Sequence, residues 1–517
     1  MDKPVIPALP DLSKTFKPFV PISGDEIRKH YTRLQILTRT NAYSVPDTLC
    51  TLNEMKQNRT ENDAYKKITV SQFLAISLVR YSHVDVVAVS MDQVSPHKIE
   101  ILIARNESTS LDSDQAKTLR QLFLKHFINS ATKEPTEEQF SMDYLTAILG
   151  WSSDRITTRL TALNYAGANK PGPKSKARSE KLLNLEKILS ALSALSALGG
   201  DDSTRRKVKD LEKRYTSNLD AILLRGDKHI LRRSKDKDVS FLDVVYSWLR
   251  FIKDAIGRFH KKRRLGEFDV SDFTSLALTA DILGSSRIFE DVLDLTGSGS
   301  PAGRFQFCRS LRKVGVYWYG VHLLFKSMTS CRGRHINEID VVVIPSPENV
   351  EVACIPDWYG FVREEFRAIT HHELTASQAF LESTSDLNKY QSETPAALHA
   401  ELNLALYRKR TGLKTGEIGV SKDCCSTCLT GLSHLKTLGF DYFIKGGHDK
   451  PYVARLTGFD PVDRAIITGV EDDFIRWLKM LEKKPDSDVS DHNSEIESLP
   501  SWVQKGLDEI TISPVGH

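Results

Sequence analysis

The sequence predicts a multidomain α+β protein, with a mostly helical N-terminal region followed by a C-terminal α/β domain. Three observations lead there. At 517 residues the chain exceeds the usual span of one domain, roughly 100–200 residues. From Asn169 to about Arg264 the chain turns basic and helical in character, with leucines and Ile188 recurring at three- and four-residue spacings from Leu182 to Leu198. The last third alternates short β-branched runs with helical stretches. With 40% hydrophobic and 27% charged residues the composition is that of a globular chain, which excludes collagen, coiled-coil fibre and wholesale disorder.

Residues 1–168 read as an α+β region to which no function is assigned. Helices are expected at Gln72–Tyr81 and Ser113–Ile128, and Val84–Ser90 and Lys98–Ala104 are β-branched runs of neighbouring strands. Residues 169–300 form a basic helical region. It opens on the linker-like KPGPKSKARS, and its first helix carries Leu182, Leu185, Ile188, Leu189, Leu192 and Leu195 and stops at Gly199-Gly200. A second helix starts near Ser203. Between Asn169 and Arg264 there are 25 lysines and arginines against 12 acidic residues, so a formal net charge of only +4 hides a strongly basic segment. Its clusters, Arg205-Arg206-Lys207, Arg232-Arg233 and Lys261-Lys262-Arg263-Arg264, read first as solvated helix faces, and second as a surface for nucleic acid or a protein partner or as a nuclear import signal.

Residues 301–484 are the α/β part. A helix over Phe305–Ser327 precedes Ile339–Ile344 and Val350–Ile355, which the short Pro345–Asn349 link presents as a hairpin-like pair. A polar stretch follows to about residue 394. Then come a helix at Ala397–Arg410, a strand at Gly416–Val420, a helix at Cys425–Leu438 closed by Gly439, and a strand at Phe440–Lys445. Residues 485–517 read as an acidic, largely disordered tail. The most apolar run, Val316–Phe325, is broken by Tyr, Gly and His, so no membrane span is expected. Pro4, Pro7 and Pro10 interrupt the N-terminus where a signal peptide needs an apolar core. The expectation is an intracellular protein, cytoplasmic or nuclear, whose seven cysteines are reduced.

Chemistry concentrates in two short motifs. His399-Ala400-Glu401 opens one helix, and Cys425-Ser426-Thr427-Cys428 opens another after 23 intervening residues. An H-x-E triplet alone is cheap, as the near-match His371-His372-Glu373 shows, but three of the seven cysteines fall within five positions. Cysteines at i and i+3 can offer two sulfurs to one metal, and a helix N-terminus favours thiolates. His399 adds an imidazole. Two thiolates, one imidazole and Zn²⁺ sum to zero charge and leave a fourth tetrahedral position for water, a catalytic arrangement in kind. Glu401 is then placed to move the water's proton, as hydrolytic removal of an amino group from an amidine-like ring carbon requires. The remaining cysteines, Cys50, Cys308, Cys331 and Cys354, are expected to be core or inert thiols.

LHAELNLALY, EIGVSKDCCSTCLTGL and YFIKGGHDKPY together resemble the zinc-dependent nucleic acid/nucleotide deaminase superfamily, of cytidine-deaminase type. The likeness is greatest to a divergent Orientia-type branch widespread in fungi, and it covers about 55 residues. It implies a C-terminal α/β/α domain with a mixed sheet, Zn²⁺ as cofactor, His399, Cys425 and Cys428 as metal ligands, Glu401 as the catalytic proton shuttle, and a nucleotide or single-stranded nucleic acid as substrate. His448 falls in the GGHDKPY motif and is a candidate substrate-binding residue. One departure stands out: Cys424 occupies the place of the usual proline before the first metal-binding cysteine. Two other readings stay open. One is a structural zinc site closed by Cys424, His434 or His448, and the other is a catalytically silent deaminase-like protein that binds a nucleotide or a partner.

Overall fold

The computed structural model describes residues 21–40, 69–81, 85–107, 109, 111–128, 136–164, 185–197, 202–217, 224–297, 301–332, 336–444 and 450–482. They fall into two compact units. The larger contains Tyr43–Glu351 and Pro395–Ile466, and the smaller Ile22–Ala42, Val352–Thr394 and the chain from Ile467.

The centre of the larger unit is a five-stranded mixed sheet. Its strands are β1 (Val87–Ser95), β2 (Lys98–Arg105), β3 (Glu338–Val343), β6 (Thr415–Val420) and β7 (Asp441–Ile444), in the order β3-β2-β1-β6-β7. β1 runs antiparallel to both β2 and β6, whereas β2/β3 and β6/β7 are parallel. Alternation decides what each face meets. Val87, Val89, Ile99, Ile101 and Ile103 enter the main hydrophobic core with α2 (Val70–Ser77). Ala88, Ala104 and Leu102, of opposite parity, are also buried. α14 (Ala400–Arg410) packs on β1 and β2, where its Arg408 pairs with Asp92. Small residues at Ala88 and Ala104, directly paired across the strands, suit a helix lying close.

Helices between the strands build the rest of the core. α3 (Leu111–Phe123) lies against β3, and the kinked α4 (Glu137–Asn164) follows. α5 (Leu185–Ala197) buries Leu185, Ile188, Leu189 and Leu192 along one face, and α6 is Asp202–Ser217. α7 (Arg225–Lys237) precedes α8 (Phe241–Arg264). α8 shows why such segments are helical: Ser240 caps it by accepting from the Asp243 amide at 3.1 Å, and its buried residues Phe241, Val244, Val245, Leu249, Ile252, Ile256 and Phe259 repeat at helical spacing. Lys261–Arg264 occupy the last turn, where positive charge suits the macrodipole. α9 (Val270–Gly284), α10 (Arg287–Leu295) and the 32-residue α11 (Pro301–Arg332) complete the set.

In the smaller unit α1 (Gly24–Arg39) receives the chain around Cys354 and Gln391. Gln35 Nε2 donates to the Gln391 carbonyl at 2.7 Å, and Arg33 pairs with Glu365 at 3.1 Å and Glu471 at 2.9 Å. Glu365 lies on α12 (Trp358–Thr370), which α13 (Gln378–Thr384) follows.

One expectation is overturned. The runs at Ile339–Ile344 and Val350–Ile355 are not paired with each other. β3 extends β2 in parallel, Ile99 opposite Ile339, and the Ile344 amide continues that ladder to the Ile103 carbonyl at 2.8 Å. β4 (Val350–Ala353) pairs instead with β5 (Glu393–Ala396). The reason lies in the link: Pro345 and Pro347 lack the donors a hairpin needs, and β2 offers a longer apolar partner. The linker KPGPKSKARS and the tail 485–517 lie outside the described residues. No helix among the described residues is long and apolar enough to cross a membrane.

Candidate metal centre

α14 and α15 (Ser426–Thr437) are packed against each other, and the motif residues stand at their N-termini. His399 is the N-cap of α14 (φ −66°, ψ 142°) and Cys425 the N-cap of α15 (φ −77°, ψ 162°). Cys428 is the third helical residue of α15, so the C-x-x-C spacing works as a cap and its N3 position, whose side chains turn toward each other. β6 supplies the approach: it ends at Val420, and Ser421–Cys424 carry the chain into the α15 cap. The centre thus lies beyond the carboxyl end of a strand, where α/β sheets place ligands.

The geometry is tight. His399 Nδ1 stands 3.1 Å from Cys428 Sγ and 3.4 Å from Cys425 Sγ, and the three donor atoms all lie within 4.8 Å of one another. Around a tetrahedral ion with bonds of ~2.0–2.3 Å, neighbouring donors stand roughly 3.5 Å apart, so the group is pre-shaped for a metal. All three residues are buried, as are Glu401 and Cys424, which form a second potential ligand group with Cys428. One carboxylate oxygen of Glu401, Oε2, is buried with no hydrogen-bond partner, a feature that needs a ligand or a proton to satisfy it.

Electrostatics follows from burial and crowding. The Cys425 thiol is held well below its ordinary value by its hydrogen bond to Cys428 and by His399, against the cost of burial. Burial opposes charge on His399 too, but the Cys425 sulfur and Glu401 outweigh it and bring the imidazole up to about 9. Burial pushes the Glu401 carboxyl up, and His399 restrains the rise; burial also pushes the Cys428 thiol up.

Two supports carry no sequence signal. Asn106, at the end of β2, accepts the Ala400 amide on Oδ1 at 2.8 Å and so fixes the start of α14. The Val453 backbone also hydrogen-bonds the His399 ring, as outer partners of metal-binding histidines do. The structure thus brings His399, Glu401, Cys425 and Cys428 together. His434 instead lines a separate cavity with Leu429 and Ser433, and His448 lies outside the described residues. Cys308 and Cys354 are buried free thiols; Cys50 and the Cys331 side chain are outside the description.

Compared with known proteins, the chain matches no family model, no curated protein and no solved structure. The centre therefore rests on its own geometry: a buried His/Cys/Cys group able to hold a metal ion, beside a mixed sheet.

Proposed function

We propose that this centre binds Zn²⁺ and that the protein is a hydrolytic deaminase acting on a nucleobase in a nucleotide or nucleic acid. The single observation that carries the reading is the convergence of His399, Cys425 and Cys428 from two helix caps onto one point, with the half-unsatisfied Glu401 carboxyl beside them. Two thiolates and an imidazole suit zinc among common divalent ions. Zinc held there supplies Lewis acidity, which draws the ionisation of water toward neutral pH. The rest falls to the chain. Glu401, in a water-poor site that raises its proton affinity, carries the attacking water's two protons in turn, the first to the ring nitrogen and the second to the departing amine. The helix N-termini of α14 and α15 favour negative charge on the thiolates and the reacting oxygen. The resemblance of the HAE and C-x-x-C segments to nucleobase deaminases supports this choice of substrate class.

Cys424 favours a second reading. It is fully buried, and its sulfur belongs to the same cluster as Cys428 and Glu401, so a closed structural site of three sulfurs and one nitrogen is the competitor. The test joins metal analysis, X-ray absorption of the metal-loaded protein, and ammonia release from cytosine and adenine nucleosides, nucleotides, single-stranded DNA and RNA. The expected result is one zinc with two sulfurs, one nitrogen and one oxygen, and turnover that Glu401→Gln lowers by about 10²–10⁴-fold with zinc retained. Three sulfurs and one nitrogen, with no turnover on any of these substrates, would overturn the enzymatic reading.

A further inference from the structure

A second cavity, of about 480 Å³, opens at the other end of the loop that delivers Cys425. Its walls come from four segments far apart in sequence: α2, the second half of α4, the middle of α11, and Val420–Asp423. Among the described residues five lining ones are basic, Arg155, Arg159, Arg309, Lys313 and Lys422, and one is acidic, Asp423. That imbalance is unusual, because most buried or half-buried cations here have an acid at hand. Arg105 has Asp85 and Asp112, Arg408 has Asp92, and Arg312 has Glu290.

Two of the cavity cations, Arg155 and Arg159, are held in place by neutral partners. Arg155, buried, donates to the Ile76 and Ser421 carbonyls at 3.2 and 3.1 Å. Arg159 donates to the Lys313 carbonyl at 2.7 Å and lies over the Tyr317 ring at 5.2 Å. These contacts orient guanidinium groups without neutralising them. Burial and the charge of Arg159 bring Arg155 down to about 9. Lys313 is exposed as a residue, yet desolvation of its ammonium and the nearby Arg309, Arg159 and Arg155 bring it down to about 8. The folded chain thus keeps like charges together at a cost, which an anion seated among them would offset.

We infer that this cavity is a binding site for a small polyphosphate, a molecule carrying two or three linked phosphate groups. The volume lies within the ~300–1,000 Å³ of small-ligand sites. Among the described residues Arg155, Arg159, Arg309 and Lys313 face the cavity with a single carboxylate, Asp423, a basic balance that matches an anion of that class. Guanidinium groups grip phosphate oxygens bidentately. The cations surround a pocket walled by helices instead of forming a stripe along which a polymer backbone could run. Ser421, Lys422 and Asp423 also join β6 to the Cys425 cap, so an anion bound here steadies the loop that aims Cys425. The inference is independent of the metal reading, because binding is measured without turnover.

Full-length protein as purified is titrated calorimetrically with inorganic tripolyphosphate at low and at raised salt. Saturable 1:1 binding is expected, weakening as salt rises. The double substitution Arg309→Gln/Lys313→Gln should weaken it at least tenfold while the melting temperature of the ligand-free protein holds or rises, since neither side chain makes an ion pair among the described residues and their loss relieves like-charge repulsion. The control Lys261→Gln/Arg264→Gln, exposed basic residues outside the cavity, should leave affinity unchanged. Absent binding at millimolar ligand, or equal loss in both doubles, overturns the inference. So does binding of octauridylate with none of tripolyphosphate, which would make the cavity a nucleic-acid groove.

Discussion

Arg105 is 1% exposed, and its guanidinium meets Asp85 at 2.8 Å, Asp112 at 2.8 Å, the Leu78 carbonyl at 2.8 Å and Gln115. Arg80 shares the two aspartates, reaching Asp112 at 3.1 Å. Removing one member of such a set strands the others away from water. Arg105→Met should therefore cost about 3–5 kcal/mol in urea unfolding; a loss under ~1 kcal/mol would mean the acids find other partners. The next residue, Asn106, does a different job, accepting the first amide of α14. Asn106→Ala removes a cap-like contact worth about 0.5–2 kcal/mol. Because that amide follows His399, metal affinity measured by chelator competition should fall on the order of tenfold or more. Unchanged affinity with lowered stability would show that Asn106 supports the helix and not the ligand.

At the scale of elements, the best-read segments are those whose instructions are local. The leucine stripe of α5, the β-branched runs of β1 and β2, and the two helix starts bearing His399 and Cys425 all declare themselves within a few residues. The partner of β3 does not, since a parallel ladder between residues 98–103 and 338–343 leaves no mark in either run. The same holds for the pairing of Ala88 with Val420. Gly419 records that pairing only in retrospect. An added Cβ there would lie well inside contact distance of the Ser71 and Gln72 backbone, so β6 reaches β1 only because residue 419 has no side chain under the N-terminus of α2. Gly419→Ala forces a backbone shift, not a rotamer change. A destabilisation of about 1–3 kcal/mol or more is expected, read from the denaturant midpoint. A midpoint within error of the wild type would show that α2 slides freely on the sheet.

Across the whole molecule, function-bearing groups are assembled from distant sequence, and that decides what a window on the sequence can see. The basic segment at 169–264 is the most visible charge feature, yet Lys262 there is paired with Asp269 at 2.6 Å and Arg263 with Asp154. The crowded cations around the cavity come from residues 155, 159, 309, 313 and 422, none of them in that segment. The sheet behaves likewise. β1 and β2, from residues 87–105, stand between β3 on one side and β6-β7 on the other, although all three of those strands come after residue 337. A fragment spanning residues 301–484 holds every proposed metal ligand but lacks both middle strands, α2 and Asn106. In it β3 has no neighbour, β6 has an open edge where β1 belongs, and α14 loses the β1–β2 face on which it packs. Unpaired strands and a bared apolar face do not hold two helix caps within ligand distance of each other. That fragment is therefore expected to show no cooperative thermal transition and to bind less than one equivalent of zinc under conditions that saturate the full chain, whereas a chain retaining residues 21–482 should melt cooperatively and bind one equivalent. A cooperative melt with stoichiometric zinc in the shorter fragment would mean that the α14–β6–α15–β7 segment folds without the central strands, and that the sheet order reflects later docking instead of a requirement for the centre.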